Sequence, residues 1–117
     1  VQVGMELLPA ALLRSRNIRD FKDEIVVLKD FRDLVVQFKL QARESRLFDI
    51  LIVIRNKQTQ KPAEALRVTL IRDAVELESL MCEDGRVSFE NIAPGAYSVD
   101  IAGVKDLIAT VRVDIQV

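Results

Sequence analysis

The stretch EDGRVSFENIAPGAYSVDI, residues 83–101, decides the fold. Apolar residues alternate with polar ones in two short runs, Val87 and Phe89 in the first, Tyr97, Val99 and Ile101 in the second. Asp84-Gly85 stands before the first run and Pro94-Gly95 before the second. A period of two marks a strand with one buried face. Asp-Gly supplies the positive φ of a tight turn, while Pro presets φ and lets the following Gly take the left-handed position. The stretch reads as a hairpin with both arms pointing their apolar residues inward, and Tyr97 as a ring that buries itself while lending its hydroxyl to a loop carbonyl.

The same pattern extends on both sides. LFDILIVIR reads as a strand buried on both faces, ended by the polar turn NKQTQKP. ALRVTLIR alternates Leu66, Val68 and Leu70 against Arg67 and Thr69, and VELESLMC offers a further strand. LIATVRVDIQV sets Leu107, Ala109, Val111, Val113, Ile115 and Val117 on one face. About six to seven short strands separated by turn signals predict a mainly β chain with a β-sandwich over residues 47–117.

Before residue 47 the period changes. Phe21, Ile25, Leu28, Phe31, Val35 and Phe38 recur at steps of three and four, the stripe of an amphipathic helix. Asp20, Asp23 and Glu24 at its start and Lys39, Arg43 and Arg46 at its end suit the helix dipole. The preferred reading is a helix over about residues 20–45, with a shorter one starting at Pro9, so that a helical segment 1–46 precedes the sandwich. A strand alternative stays open for residues 34–42, where Val36, Phe38, Leu40 and Ala42 alternate with polar neighbours. A helix of this length runs ~36 Å, whereas a six-residue strand spans ~20 Å. The stripe therefore either packs on its own sandwich or overhangs as a surface for a protein partner, the cheapest being a second copy in a homodimer.

Composition narrows the chemistry. The chain has 117 residues, half of them apolar, with a net charge of −1. That suits one folded domain and fits neither disorder nor a basic nucleic-acid binder. Through Arg46 there are 9 basic and 7 acidic residues, and after it 8 and 11, an asymmetry too small to name a partner. There is no His, which removes Ser-His-Asp and Cys-His catalysis together with imidazole metal sites. Cys82 is the single cysteine, so no intrachain disulfide forms, and it reads as a core residue. Glu76, Glu78, Glu83 and Asp84 lack the spacing of a Ca²⁺ loop, and Arg14, Arg16 and Arg19 have no interleaved aromatics, so a solvated surface explains both groups better. No catalytic, cofactor-binding or metal residue is assigned. The longest aliphatic run, ILIVI, is too short to span a membrane as a helix. The N-terminal residues lack the order of a secretory signal and start on Val, which reads as a processed or trimmed start, leaving cytoplasm and cell envelope both open.

NKQTQKPAEALRVTLIRD followed by EDGRVSFENIAPGAYSVDI resembles the carboxypeptidase regulatory-like group of prealbumin-type sandwiches, which includes the B-type repeats of bacterial collagen adhesins. The likeness covers about residues 47–117 and rests on Asp-Gly, x-Val-x-Phe, Asn-Ile and x-Pro-Gly-x-Tyr, residues that shape turns. It implies a non-catalytic accessory module of a larger bacterial regulatory or envelope protein. Adhesin repeats of this group can carry a Lys to Asn isopeptide. Here Lys57 is present, but the last strand has no Asn and Asp100 stands where a Glu is expected, so no crosslink is expected. The enzymes of the prealbumin fold depend on His and a C-terminal motif that this chain lacks. The function expected is a non-enzymatic interaction or assembly module. The alternative is a carbohydrate- or peptide-binding sandwich, disfavoured for sugars by the absence of Trp and a single Tyr.

Overall fold

The computed structural model describes residues 4–9 and 24–115, which form nine strands. In chain order these are β1 (Gly4–Pro9), β2 (Glu24–Phe31), β3 (Leu34–Ala42), β4 (Phe48–Asn56), β5 (Arg67–Arg72), β6 (Val75–Met81), β7 (Arg86–Ile92), β8 (Gly95–Ala102) and β9 (Leu107–Ile115). They make a five-stranded sheet in the order β1-β9-β8-β5-β6 and a four-stranded sheet in the order β2-β3-β4-β7. Every neighbouring pair is antiparallel except β1, which runs parallel to β9.

Alternation builds the core between the sheets. Val36, Phe38, Leu40 and Ala42 of β3, with Phe48, Ile50, Ile52 and Ile54 of β4, are buried and face Val68 and Leu70 of β5, Tyr97, Val99 and Ile101 of β8, and Ala109, Val111, Val113 and Ile115 of β9 in one cluster. The aromatic anchors Phe38, Phe48 and Phe89 are fully buried, all on the four-stranded side. β4 is not buried on both faces as its continuous apolar run suggests: Leu51 and Val53 point outward and stay half-exposed, because no described strand covers the outer face of its sheet.

Over the described part of residues 20–45, from 24 onward, the expected helix is absent. Residues 24–42 form a hairpin, β2 against β3 in register from Glu24↔Gln41 to Phe31↔Leu34, with only Arg32 and Asp33 in the turn. β3 then pairs with β4 along its whole length, Leu34↔Asn56 to Ala42↔Phe48. The division proposed at residue 46 thus falls in the short connection between two neighbours of one sheet. The strand alternative for residues 34–42 is the observed one. A helix would bury a stripe by itself, but the strand lets four alternate residues of β3 enter a core that both sheets share, and tertiary burial outweighs local propensity. The shorter helix expected from Pro9 onward lies outside the described residues except for Pro9, which ends β1.

β1 and β2 lie in different sheets, and from β2 onward the chain crosses between the sheets at β4–β5, β6–β7 and β7–β8, while β2–β3–β4, β5–β6 and β8–β9 stay within one sheet. At one end of the sandwich Arg32 in the β2–β3 turn pairs with Asp106 in the β8–β9 loop at 3.2 Å, bridging the layers.

The hairpin and the helix predict opposite outcomes for two residues of the old stripe. Phe38→Ala removes a fully buried ring and is expected to cost about 3–5 kcal/mol. Leu28→Ala, at an exposed position, is expected to cost less than about 1 kcal/mol. Urea unfolding followed by circular dichroism checks both, and equal costs would contradict this packing.

Candidate interaction surface

The six residues of the stripe are not brought to one face. Phe31 and Phe38 are core, Leu28 is exposed opposite Gln37, and Val35 is half-exposed on the side of β3 away from Phe38. Ile25 pairs in register with Leu40, and Phe21 lies outside the described residues.

The turn residues do position structure, though not as a simple hairpin. Asp84 and Gly85 have φ of 51° and 70°, two consecutive positive values that make a type I′ turn. Glu83 and Arg86 exchange backbone hydrogen bonds across it at 3.2 and 2.9 Å. Beyond this clasp the strands part, β6 into the five-stranded sheet and β7 into the four-stranded one. The second pair, β7 and β8, likewise lies in opposite sheets, so the two arms expected of one hairpin face each other across the core. A Cβ on Gly85 would run into the carbonyl oxygen of Ile54. Gly95 has the expected positive φ, at 153°, a conformation that residues with a side chain rarely adopt, though wider than the 57° of Asn91. The lack of a side chain at Gly95 also admits the Arg72 guanidinium, 3.0 Å from where a Cβ would sit. That guanidinium lies over the Tyr97 ring, 5.4 Å from its centroid, and donates to the Tyr97 hydroxyl at 3.3 Å. The hydroxyl donates in turn to the Ala93 carbonyl at 2.6 Å, as the sequence led us to expect.

The surface that sequence reasoning passed over is β6. It is one edge of the five-stranded sheet, and its ladder to β5 tells which face each residue occupies. Leu80 and Glu78 pair with the core residues Val68 and Leu70, whereas Ser79, Met81 and Glu76 pair with Thr69, Arg67 and Ile71 of the outer face. Leu80 is half-buried, but Glu78, on the core-facing side, is exposed. The four-stranded sheet stops at β7 and leaves β6 overhanging. Val75 (59%), Leu77 (52%) and Met81 (47%) are exposed as well, three of the five large exposed hydrophobics among the described residues. The edge β7 differs: its exposed residues are Arg86, Ser88, Glu90 and Asn91, and its apolar Val87 and Phe89 are buried.

Two turns hold β6. Asp73 and Ala74, with φ of 51° and 61°, close the two-residue β5–β6 hairpin, and Asp84-Gly85 closes the other end. Cys82 follows directly; its N–H donates to the Leu66 carbonyl at 2.9 Å, and burial raises its thiol above the ordinary value. At neutral pH the thiol is protonated and a poor nucleophile.

The clefts offer less. One of about 490 Å³ at the Arg32 end has Leu34, Ala63, Leu66 and Ile108 in its wall and Arg32, Asp33, Lys61 and Glu64 around it, with no aromatic residue to stack a sugar. Lys57, candidate for a crosslink, sits nearby in an exposed ion pair with Asp30 at 3.0 Å, and Asp100 accepts from Thr110 on the outer face at 2.9 Å. Among the described residues no group of three or more Cys, Asp and Glu is placed to hold a metal ion, and no helix is long and apolar enough to cross a membrane. Comparison with family models, curated proteins and solved structures returns no match.

The two type I′ turns predict opposite responses. Gly85→Ala adds a Cβ at positive φ against a backbone carbonyl and is expected to lose more than about 2 kcal/mol. Ala74→Gly relieves a left-handed Ala and is expected to gain about 0.5–1 kcal/mol after the entropy of Gly is subtracted. Denaturant midpoints of the two variants check this, and a neutral Gly85→Ala would remove the close approach from the account.

Proposed function

We propose that the chain is a non-enzymatic protein-interaction module, a prealbumin-like sandwich serving within a larger regulatory or envelope protein, and that it meets its partner along β6. One observation carries the reading: an edge strand with one side of its backbone unpaired by any described strand also exposes Val75, Leu77 and Met81. Free strand edges recruit other strands, and proteins that do not use them cover them. Support for a non-catalytic role comes from the chemistry at hand. The chain has no His, its thiol is raised by burial, and its motif residues Asp84, Gly85, Gly95 and Tyr97 serve turns and packing.

The association once assigned to a helix passes in this reading to a strand edge. The sugar-binding alternative gains nothing from the clefts, since the single Tyr is buried and tied to Ala93.

A photo-crosslinking amino acid placed at position 77 or 81, in the cells that make the protein, is expected to give a discrete protein adduct, with none from position 112 on β9. Adducts of equal yield from all three positions, or none from 77 and 81, would remove β6 as the partner surface.

A further inference from the structure

We infer that the occupant of β6 is an extended segment of another protein that carries Lys or Arg on both of its faces among apolar residues, added as a sixth strand to the five-stranded sheet. This rests on the interaction-module reading and names the partner's chemistry. The backbone supplies the docking: in an antiparallel ladder alternate residues of the edge strand turn N–H and C=O away from their neighbour, and β6 is paired to β5 from Val75 to Met81. Added strands satisfy those groups, while side chains choose which strand fits.

Charge makes the choice. Residues 73–85 hold five acidic residues and no basic one, although the whole chain carries only −1. Asp73 reaches Arg72 at 3.9 Å. Among the described residues no cation lies within ion-pair distance of Glu76, Glu78, Glu83 or Asp84. Glu76 lies on the outer face of β6 and Glu78 on the core-facing side, so an added strand meets a carboxylate on each of its two faces. Leu77 sits between them where the ladder to β5 is irregular, and Met81 and Val75 flank the pair. A strand with basic residues beside these carboxylates and apolar residues beside Val75, Leu77 and Met81 complements both features.

The same charges exclude a second copy of β6. Antiparallel pairing centred on Glu76, Leu77 or Glu78 sets carboxylate opposite carboxylate, and any register brings the two acidic hairpins together. The edge is closed to itself and open to a strand of opposite charge.

The test starts with random dodecapeptides displayed on phage and selected against the intact chain. Expected are peptides with Lys or Arg at both odd and even positions of an extended stretch, so that both faces carry a cation, which protect alternate β6 amides from hydrogen exchange and bind more weakly as salt is raised. Glu76→Lys with Glu78→Lys, both at exposed positions, is expected to weaken them by about tenfold or more while leaving the unfolding midpoint in place. Replacing the basic residues of a selected peptide by Glu must abolish its binding. Failure to recover any peptide, or charge reversal without effect, overturns the inference. Protection on β7 or at the cleft overturns it while leaving the interaction reading intact. A dimer in light scattering that protects β6 overturns it in favour of a second copy. Recovery of no peptide together with no adduct from position 77 brings both readings down.

Discussion

Both hydrogen-bonding groups of one buried residue, Ile54, fix two of the places where the chain passes between the sheets. Its N–H donates to the Gly85 carbonyl at 2.7 Å, and its carbonyl accepts from the Ala63 N–H at 2.9 Å. A buried peptide left without partners costs more than an ordinary hydrogen bond contributes, so these two contacts are close to obligatory. One partner comes from the β6–β7 crossing and the other from the β4–β5 crossing. Residue 85 must then be Gly, because the approach leaves no room for a Cβ, and residue 63 is a small apolar one that tucks into the core. The longer crossing is folded on itself: the Asn56 side chain accepts from the N–H groups of Gln58 and Thr59 at 2.9 and 3.0 Å, and Asn56 N–H donates to the Lys61 carbonyl at 2.8 Å.

With the crossings placed, the inequality of the sheets follows. β6 arrives in a sheet of five and β7 leaves in a sheet of four, so one layer projects past the other at that side. A core residue at position 78 would be exposed to water on the overhang, and the chain has Glu there. Leu80, one step nearer the crossing, still packs on the core. The surface at β6 is thus a consequence of how the sandwich closes, and its acidic residues set like charges against any second copy of the same edge.

What the sequence made legible was whatever carries strong local chemistry. β4 to β9 were each read within a few residues, because period two and turn pairs agree there. The Tyr97 hydroxyl bond was read as well. The β2–β3 hairpin was not, and its turn explains why: Arg32-Asp33 takes the place usually held by Asn-Gly, with Arg32 itself at a φ of 54°. Without a turn signal, apolar residues from two antiparallel strands line up at steps of three and four and imitate a helix. Asp84-Gly85 was read correctly as a tight turn, yet nothing local says that its strands enter different sheets, since that is settled at Ile54. The β6 edge had a signal, the run of acidic residues without a basic one, but exposure of Leu77 and Met81 depends on which strand lies last.

The two I′ turns also bear on what an edge of this kind can do. An extended partner loses conformational freedom when it docks, and association is weaker still if the receiving strand must be ordered at the same time. β6 has no such need. It is clasped by Asp73-Ala74 at one end and Asp84-Gly85 at the other, paired to β5 between them, and joined to that strand by the hydroxyl contact of Thr69 and Ser79 at 2.9 Å with Arg67 donating to Ser79 at 3.1 Å. The left-handed Ala74 is a local cost accepted within that clasp. Because the ordering is complete before any partner arrives, the same turn chemistry that defines the fold also keeps the edge extended, and selectivity is left to the side chains along it.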